Sequence, residues 1–560
     1  MAKRPSRSQA TNGFGGSLFS SRKAKKAKGL RNTDSLKKPA SSLIASGLSK
    51  GVAAIAAVML APSSALALPN GLSVRGGKLT ISQPDGSSIV IDQSTDRAAG
   101  DWNSFDIGSG ESVEIRQPDA NSLMLGRVTG GSPTDIQGAL SANGGVILIN
   151  PHGMLIGPNA VINTSSFVAS TSDVNPDAFM AGGAISFIKS PLNSVDSEII
   201  NKGQITVSDA GMVALLAPQI KNDGVIDARL GQVQLAAGTQ ATLDISGNGL
   251  LNIVLDADIA GSITNEGQIT AGYVRIGGGD AAGFVNSAIN LNGIVEATGL
   301  GGEPGTVDVH TSGDLLVNGS IKATGSSSGE VGGTINLLGD RVALLNTAVV
   351  DVSGVAGGGE VLIGGNYLGQ GPEPNAKTTV LVDGSQVKAN ALVEGDGGRV
   401  IVWSDEYTGF YGSISATGSD SGYGGFIETS SKDNLQAAGS ISVTGGLSGG
   451  EWLLDPRGIQ IVKLIADVDG GTAAGIVGGV FTATADITQI AAGTNNAEVN
   501  WATGTISGIL SQGTDVTLFT QNTATGTGDG DIDFVTDANI LMSNGLSTES
   551  ATLTFSAQQD

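Results

Sequence analysis

Apolar and polar residues alternate along the chain from about residue 70, in short runs broken by Gly, Asn and Asp. The runs "SIVIDQ" (88–93), "SVEIRQ" (112–117) and "QVQLAAG" (232–238) carry Val, Ile or Leu at every second position. This alternation is typical of β-strands with one buried face, and the spacing of an amphipathic helix is nowhere sustained. The pattern therefore predicts an all-β protein.

A phrase built around one glycine recurs through the middle of the chain. Its copies are NKGQITV (201–207), NDGVIDA (222–228), NEGQITA (265–271), LNGIVEA (291–297), VNGSIKA (317–323), FYGSISA (410–416) and AAGSISV (437–443). Successive glycines are 21, 43, 26, 26, 93 and 27 residues apart. We interpret these steps as coils of 21–27 residues, with 43 as two coils and 93 as about four. Such a period indicates a solenoid.

A right-handed parallel β-helix gives each part of the phrase a role. Its Ile or Val would point inward and stack on the equivalent residue one coil away, at ~4.8 Å along the axis. Its Gly would adopt a turn conformation with positive φ. Its Asn would hydrogen-bond to the backbone and to an Asn of the next coil. Irregular coil lengths disfavour a propeller, and the lack of two-residue hairpin turns disfavours a sandwich.

The composition suits a long, thin core. The chain has 86 Gly and 40% hydrophobic residues but only 4 Trp, 5 Tyr and 13 Phe. It has no Cys, so its stability is expected to come from repetition and not from disulfides.

The N-terminal segment resembles an export signal in its charge and apolar pattern. Residues 1–50 contain 12 Lys/Arg and one acid, and an apolar run then ends in Ala65-Leu66-Ala67. We predict that 1–67 is an extended signal peptide, delivered to the Sec machinery and cleaved after Ala67, so that Leu68 begins the mature chain. The alternative, a basic arm that binds nucleic acid, is disfavoured because the apolar run follows directly.

The rest of the chain carries 18 basic and 51 acidic side chains. So acidic a body repels phosphate groups, and nucleic acid is not an expected partner.

Residues 102–171 carry a family resemblance. The segment is similar to the haemagglutination-activity, or two-partner secretion, domain of filamentous haemagglutinin-like exoproteins. The matching pieces, in family order, are WNSFDIG (102–108), RV (127–128), IQG (136–138), NPHG (150–153) and FVAST (167–171). Two positions depart from the family pattern: His152 stands where Asn is usual, and Gly126 stands where Asn is expected before Arg127.

The resemblance implies a β-helical secretion domain from a Gram-negative bacterium. It also implies a dedicated outer-membrane transporter, with POTRA domains and a β-barrel, that recognises this domain and exports the chain. On this basis we expect the following residues to contribute to transporter recognition: Trp102, Asn103, Phe105, Arg127, Asn150, Pro151, His152 and Gly153.

The expected organisation has four parts. After the signal peptide we expect the secretion domain at 68–250, glycine-rich solenoid repeats at 251–450 and a further β-repeat region at 451–560. No polar capping segment is visible at the end, so we expect the rod to continue past Asp560.

Candidate chemistry is sparse. The two histidines, His152 and His310, lie 158 residues apart and there is no Cys, so no metal, cofactor or catalytic site is expected. His152 is interpreted as a turn residue that tolerates positive φ, and Trp403 and Trp452 as buried aromatics more than as glycan platforms.

Two classes of function remain open. The first is a secreted or surface-exposed adhesive exoprotein that binds a receptor or glycan on a host or bacterial surface. The second is a β-helical carbohydrate-active enzyme, a polysaccharide lyase or hydrolase, which would require paired carboxylates with Lys or Arg on one face.

Overall fold

The computed structural model divides the chain into two units, Met1–Ser63 and Ser64–Asp560. The structure describes residues 67–193, 196–243, 261–278, 288–299 and 303–455, together with these shorter pieces: 252–254, 459–462, 476–477, 480–481, 497–500, 510, 514–519, 532–534 and 551–556. Apart from Ala67, the predicted signal peptide lies outside the described residues.

The second unit contains a parallel β-helix, as predicted, and its coils have three faces. Face 1 is an 11-stranded parallel sheet to which successive coils contribute one strand each. Its strands are Thr134–Ile136, Met154–Ile156, Glu198–Asn201, Gln219–Asn222, Ser262–Asn265, Ala288–Leu291, Asp314–Val317, Arg341–Leu344, Thr378–Leu381, Tyr407–Phe410 and Asn434–Ala437.

Faces 2 and 3 are continuous with each other, because two long strands, Val225–Ala237 and Gln268–Gly278, bend round the corner between them. The other strands of face 2 are Ser88–Gln93, Ser112–Arg116, Ala139–Ala142, Val161–Thr164, Gln204–Val207, Ile294–Ala297, Ser320–Lys322, Val349–Asp351, Gln386–Lys388, Ser413–Ser415 and Ser440–Ser442. Those of face 3 are Arg97–Trp102, Leu123–Val128, Gly145–Ile149, Ser166–Ser170, Met212–Ala217, Thr306–Thr311, Thr334–Leu338, Glu360–Ile363, Arg399–Val402, Phe426–Thr429, Glu451–Leu454, Asp515–Phe519 and Leu553–Ser556.

Several strands lie outside the three faces. At the N-terminal end, Ser73–Gly76 and Leu79–Asp85 pair antiparallel with the first strands of faces 3 and 2. The remaining short strands are Ile459–Val462, Ala497–Asn500 and Ile532–Phe534 in one sheet, and Ile476–Val477 with Val480–Phe481 in another.

Inward-facing residues stack from coil to coil, which confirms the predicted role of the phrase Ile and Val. On face 2, Ile205, Ile226 and Ile269 lie in register, and all three are fully buried. These columns join into one apolar core that runs from Leu79 to Leu518. Trp403 and Trp452 are buried, as expected.

The coil assignment from glycine spacing was wrong for its two long steps. Face-1 strand Gln219–Asn222 pairs directly with Ser262–Asn265, so the step of 43 residues is one coil with an insertion. On face 2, Ser320 reaches Ser413 through two intervening strands, so the step of 93 residues is three coils. Insertions lengthen a coil without changing its register, and spacing alone does not reveal them.

The phrase glycines are required for a different reason from the one predicted. None of them lies among the positive-φ glycines of the described chain. Instead, a Cβ on Gly224 would lie 2.2 Å from the carbonyl oxygen of Gly203, and one on Gly267 would lie 2.1 Å from that of Gly224. Adjacent coils touch through their backbones at this corner, and any side chain would separate them.

A second layer covers face 3 of the early coils. Helix α1 (Pro176–Ala181) and a four-stranded antiparallel sheet pack on it; the strands are Asp173–Val174, Ile185–Ile188, Gln240–Leu243 and Asn252–Val254. Phe179, Ile185 and Phe187 from this layer form a second apolar cluster with the outward residues of face 3, such as Leu125 and Ile147. Over the later coils, a loop with a 3-10 turn at Tyr367–Gly369 lies on the same face.

Candidate functional site

The pieces WNSFDIG, RV and NPHG stack at one corner of the first coils, where strands of face 3 end. Asp101, Arg127 and Ile149 lie in register on consecutive strands. Asn103 and Asn150 follow the ends of the first and third of these strands. Trp102, Arg127 and Asn150, which are 23–48 residues apart in sequence, therefore meet on one edge of the β-helix.

Trp102 and Phe105 belong to the core beneath this corner. Both are fully buried, and their rings make an edge-to-face contact with centroids 5.1 Å apart. The Trp102 Nε1 has no hydrogen-bond partner among the described residues. Gly126 lies beside the indole: a Cβ there would be 3.5 Å from Nε1, in ordinary contact.

Asn103 fixes the segment that precedes the first coil. Its backbone N–H donates to the Asn70 carbonyl oxygen at 2.9 Å, and its Nδ2 donates to Asn70 Oδ1 at 3.2 Å. The Asn70 N–H and Nδ2 in turn donate to the carbonyl oxygen and hydroxyl of Ser104. This pairing attaches the N-terminal segment to the β-helix.

Arg127 joins the β-helix to its covering layer. Its Nε and Nη2 donate to the two carboxylate oxygens of Asp173, each at 2.8 Å, and its Nη1 donates to Asp101 at 2.9 Å. Asp173 begins the antiparallel sheet, and Asp101 also accepts from Arg75. The hydrogen bond to Asp173 raises the pKa of the Arg127 guanidinium above its ordinary value. The sequence did not indicate Asp101 and Asp173 as partners of Arg127, because they lie 26 and 46 residues away along the chain.

Asn150 and the three residues after it form a tight turn. The Asn150 carbonyl accepts from the Gly153 N–H at 3.0 Å, and its side-chain Oδ1 accepts from the His152 N–H at 3.0 Å. Pro151 at the second position and Gly at the fourth suit a type I turn. The Asn150 Nδ2 donates to Thr134 Oγ1, at 2.9 Å, so the turn is tied to the preceding coil.

His152 is a half-buried turn residue, but its predicted positive φ is wrong. The positive φ falls on Gly153, at 103°, while the non-glycine residues with positive φ in the described chain are Ala210 and Leu368. The backbone at position 152 therefore does not require a residue that tolerates positive φ, such as Asn.

The predicted cleavage site contacts the residue that precedes strand Ser112–Arg116 of face 2. Ala67 and Leu68 are half-buried, and the Ala67 N–H donates to the carboxylate of Glu111. Ala65 lies outside the described residues.

The described part of the chain places no three His, Cys, Asp or Glu side chains together as a metal site requires. None of its helices has the length and apolar character that a membrane span demands.

Comparison with known proteins matches this geometry. The family model of the TPS secretion domain matches residues 67–323. The crystal structure of the HMW1 secretion domain from Haemophilus influenzae is covered over 100% of its length, with 69% of this chain, a TM-score of 0.58 and 32% sequence identity. The chain belongs to the two-partner secretion family of filamentous haemagglutinin-like exoproteins.

Two curated relatives are longer proteins. Both are heme/hemopexin-binding proteins of Haemophilus influenzae, 35% identical over 270 residues and 28% identical over 252 residues. The matches cover 47% and 41% of this chain but only 29% and 27% of the relatives. This chain therefore spans less than a third of the length of either relative.

Proposed function

We propose that this chain is an exoprotein that a dedicated outer-membrane transporter carries to the bacterial surface or the medium. The Sec machinery delivers it to the periplasm, and the POTRA domains and β-barrel of the transporter recognise its N-terminal domain. The full-length match to a solved secretion domain is the observation that supports this proposal. The rod then presents its outer faces to a receptor or glycan and performs no catalysis of its own.

Recognition is proposed to act on the extended chain. Trp102, Phe105 and Asn150 are buried once the coils have formed, so a transporter can read these side chains only before folding. After translocation, each folded coil presents an open strand edge on which the next coil pairs. The free energy of this stacking draws the chain outward without ATP.

A deletion of residues 102–171, with the signal peptide retained, tests the proposal. We expect the shortened chain to accumulate in the periplasm, measured by immunoblotting of periplasmic, surface and medium fractions in cells with and without the transporter. Undiminished delivery to the surface would contradict the proposal.

The chain offers a matched control for this deletion. Removing residues 413–439 takes out one coil and joins Gly412 to Ser440, which occupies the same register as Ser413. Export of this control should stay within about twofold of the full chain, because solenoid coils contribute mainly to their nearest neighbours.

A further inference from the structure

Glu111 is a buried carboxylate that only neutral groups contact. The residue is 6% exposed. The Gly108 N–H donates to its Oε2 at 2.7 Å, and the Ala67 N–H donates to both oxygens at 3.0 and 3.1 Å. No Lys or Arg of the described chain forms an ion pair with it. Burying a charge without a counter-charge is unfavourable, so this position suits a cation.

The backbone around the carboxylate leaves room for it. A Cβ on Gly108 would lie 2.8 Å from Oε2, and one on Gly138 would lie 2.3 Å from the Glu111 carbonyl oxygen. Both positions therefore have to be glycine for Glu111 to keep its place. The sequence supplies these glycines within the pieces WNSFDIG and IQG.

Leu68 is held against the core one residue after Ala67, whose N–H contacts this carboxylate. Its side chain packs against the main core, and Asn70, two residues later, is attached to Asn103 and Ser104. The Leu68 nitrogen directly follows that of Ala67 along the backbone, and its N–H has no acceptor within the described residues.

We propose that Glu111 binds the α-ammonium group that removal of the signal peptide creates on Leu68. The proposal rests on the predicted cleavage after Ala67. Hydrolysis of the Ala67–Leu68 peptide bond by a signal peptidase consumes one water, leaves a carboxylate on Ala67 and leaves a protonated amine on Leu68. The Ala67 N–H departs with the signal peptide, and the new ammonium replaces it with three donors and a positive charge.

The N-terminal end of the β-helix is thus completed only in the cleaved chain. While the signal peptide is attached, the first coil has a buried carboxylate without a counter-charge. After cleavage, an ion pair closes the coil and attaches the chain end to it. Removal of the signal peptide thereby favours folding of the coil from which the others extend.

The direct test measures the reactivity of the α-amino group. The full chain beginning at Leu68 is treated with an acylating reagent at pH 7, and modification of the N-terminal peptide is followed by mass spectrometry. We expect acylation at least about tenfold slower than in Glu111→Gln, because the ion-paired amine is protonated and shielded. Rates within twofold of each other would overturn the proposal, as would a mature chain that begins at another residue.

Glu114→Gln is the matched control. Glu114 lies three residues away and is exposed, where it pairs with Arg116 at 2.8 Å. Its substitution should leave the acylation rate of the N-terminus unchanged. A change equal to that of Glu111→Gln would mean that general charge, and not contact, controls the amine, and would overturn the proposal.

A second measurement serves if Glu111→Gln does not fold. The chain beginning at Leu68 is compared by thermal unfolding with the same chain acetylated at its N-terminus, with Glu111 intact in both. We expect Tm to fall by about 2–4 °C in the acetylated chain. Equal Tm values would overturn the proposal. Neither measurement uses the transporter, so their failure is distinguishable from failure of the export function.

Discussion

One column of face 1 is apolar at Ile136 and Ile156, polar in the next three coils and apolar again in the late coils. In those three coils it contains Asn201, Asn222 and Asn265, whose side-chain amides hydrogen-bond from coil to coil at 2.8 and 2.7 Å. The same register then continues with Leu291 and Val317, which are buried in the apolar core. The ladder is bounded by Ile156 on one side and Leu291 on the other, so its amides are satisfied by one another and, at Asn265, by the carbonyl oxygens of Gly267 and Ile294.

The outward side of face 3 also differs between the two regions. In the early coils the antiparallel layer covers it with apolar contacts. In the late coils Glu428 stands in register between Ile401 and Leu453, fully buried. Its carboxylate accepts the Leu368 N–H at 3.2 and 3.3 Å, from a residue with a φ of 54°. Burial raises the pKa of this carboxyl to about 8, despite hydrogen bonds that lower it.

Interrupting the amide ladder should have the largest effect. In Asn222→Leu, the Asn201 Nδ2 and Asn265 Oδ1 lose their partners in a buried environment. We expect the free energy of unfolding to fall by about 3 kcal/mol, measured by denaturant titration of the mature chain. The opposite change, Leu344→Asn, should be comparably unfavourable, because it places one amide in the apolar part of the column.

Replacing the whole ladder sharpens this comparison. The triple variant Asn201→Leu, Asn222→Leu and Asn265→Leu removes donors and acceptors together, so its effect should be smaller than the sum of the three single effects. Strict additivity would show that the amides act independently, against the ladder interpretation.

Removing the buried carboxyl of the late coils should stabilise the protein. When folding raises the pKa of an acid, the protein loses stability as pH rises from the pKa in the unfolded chain, here 4.5, to the pKa in the folded chain, here about 8. Glu428→Gln keeps an acceptor for the Leu368 N–H and removes this loss, so we expect about 2 kcal/mol of added stability at pH 8 and little at pH 4.

The pH dependence decides that prediction. Unfolding of wild type and Glu428→Gln is compared from pH 4 to pH 9, with Glu428→Leu as the control that lacks the acceptor. If wild type and Glu428→Gln differ by a constant unfolding free energy across this range, the raised pKa does not belong to Glu428.

Filling the space beside Trp102 should have the smallest effect. Gly126→Asn introduces an amide oxygen next to the unpartnered Trp102 Nε1, where a Cβ fits without a clash. We expect a gain of about 1 kcal/mol in unfolding free energy. Gly126→Ala is the control, since it adds the Cβ alone; an equal gain in both variants would exclude the indole hydrogen bond.

Several features of the fold follow from local sequence. The alternation of apolar residues predicted the strands, and the phrase Ile and Val predicted the stacked columns. Asn150-Pro151-His152-Gly153 predicted a turn, because Pro and Gly limit the backbone within four residues. The Asn ladder was also predicted, since Asn recurs at one place in the phrase.

Other features depend on contacts between distant segments. The step of 43 residues contains an insertion, and only strand pairing distinguishes this from two coils. The bonds of Arg127 to Asp101 and Asp173 span 26 and 46 residues, with no motif that relates them. The need for Gly224 arises from the carbonyl of Gly203 in the neighbouring coil, and not from its own φ.

The sequence by itself determined that this chain is a β-solenoid, because period, turn residues and inward columns are properties of each coil. The secretion domain was indicated by the family resemblance of residues 102–171. The tertiary structure alone decided which coils touch, what covers face 3, and why Trp102, Arg127 and Asn150 meet at one corner. Those outcomes depend on the register between coils. Register is set by pairing of whole strands across loops of unequal length, which local pattern does not encode.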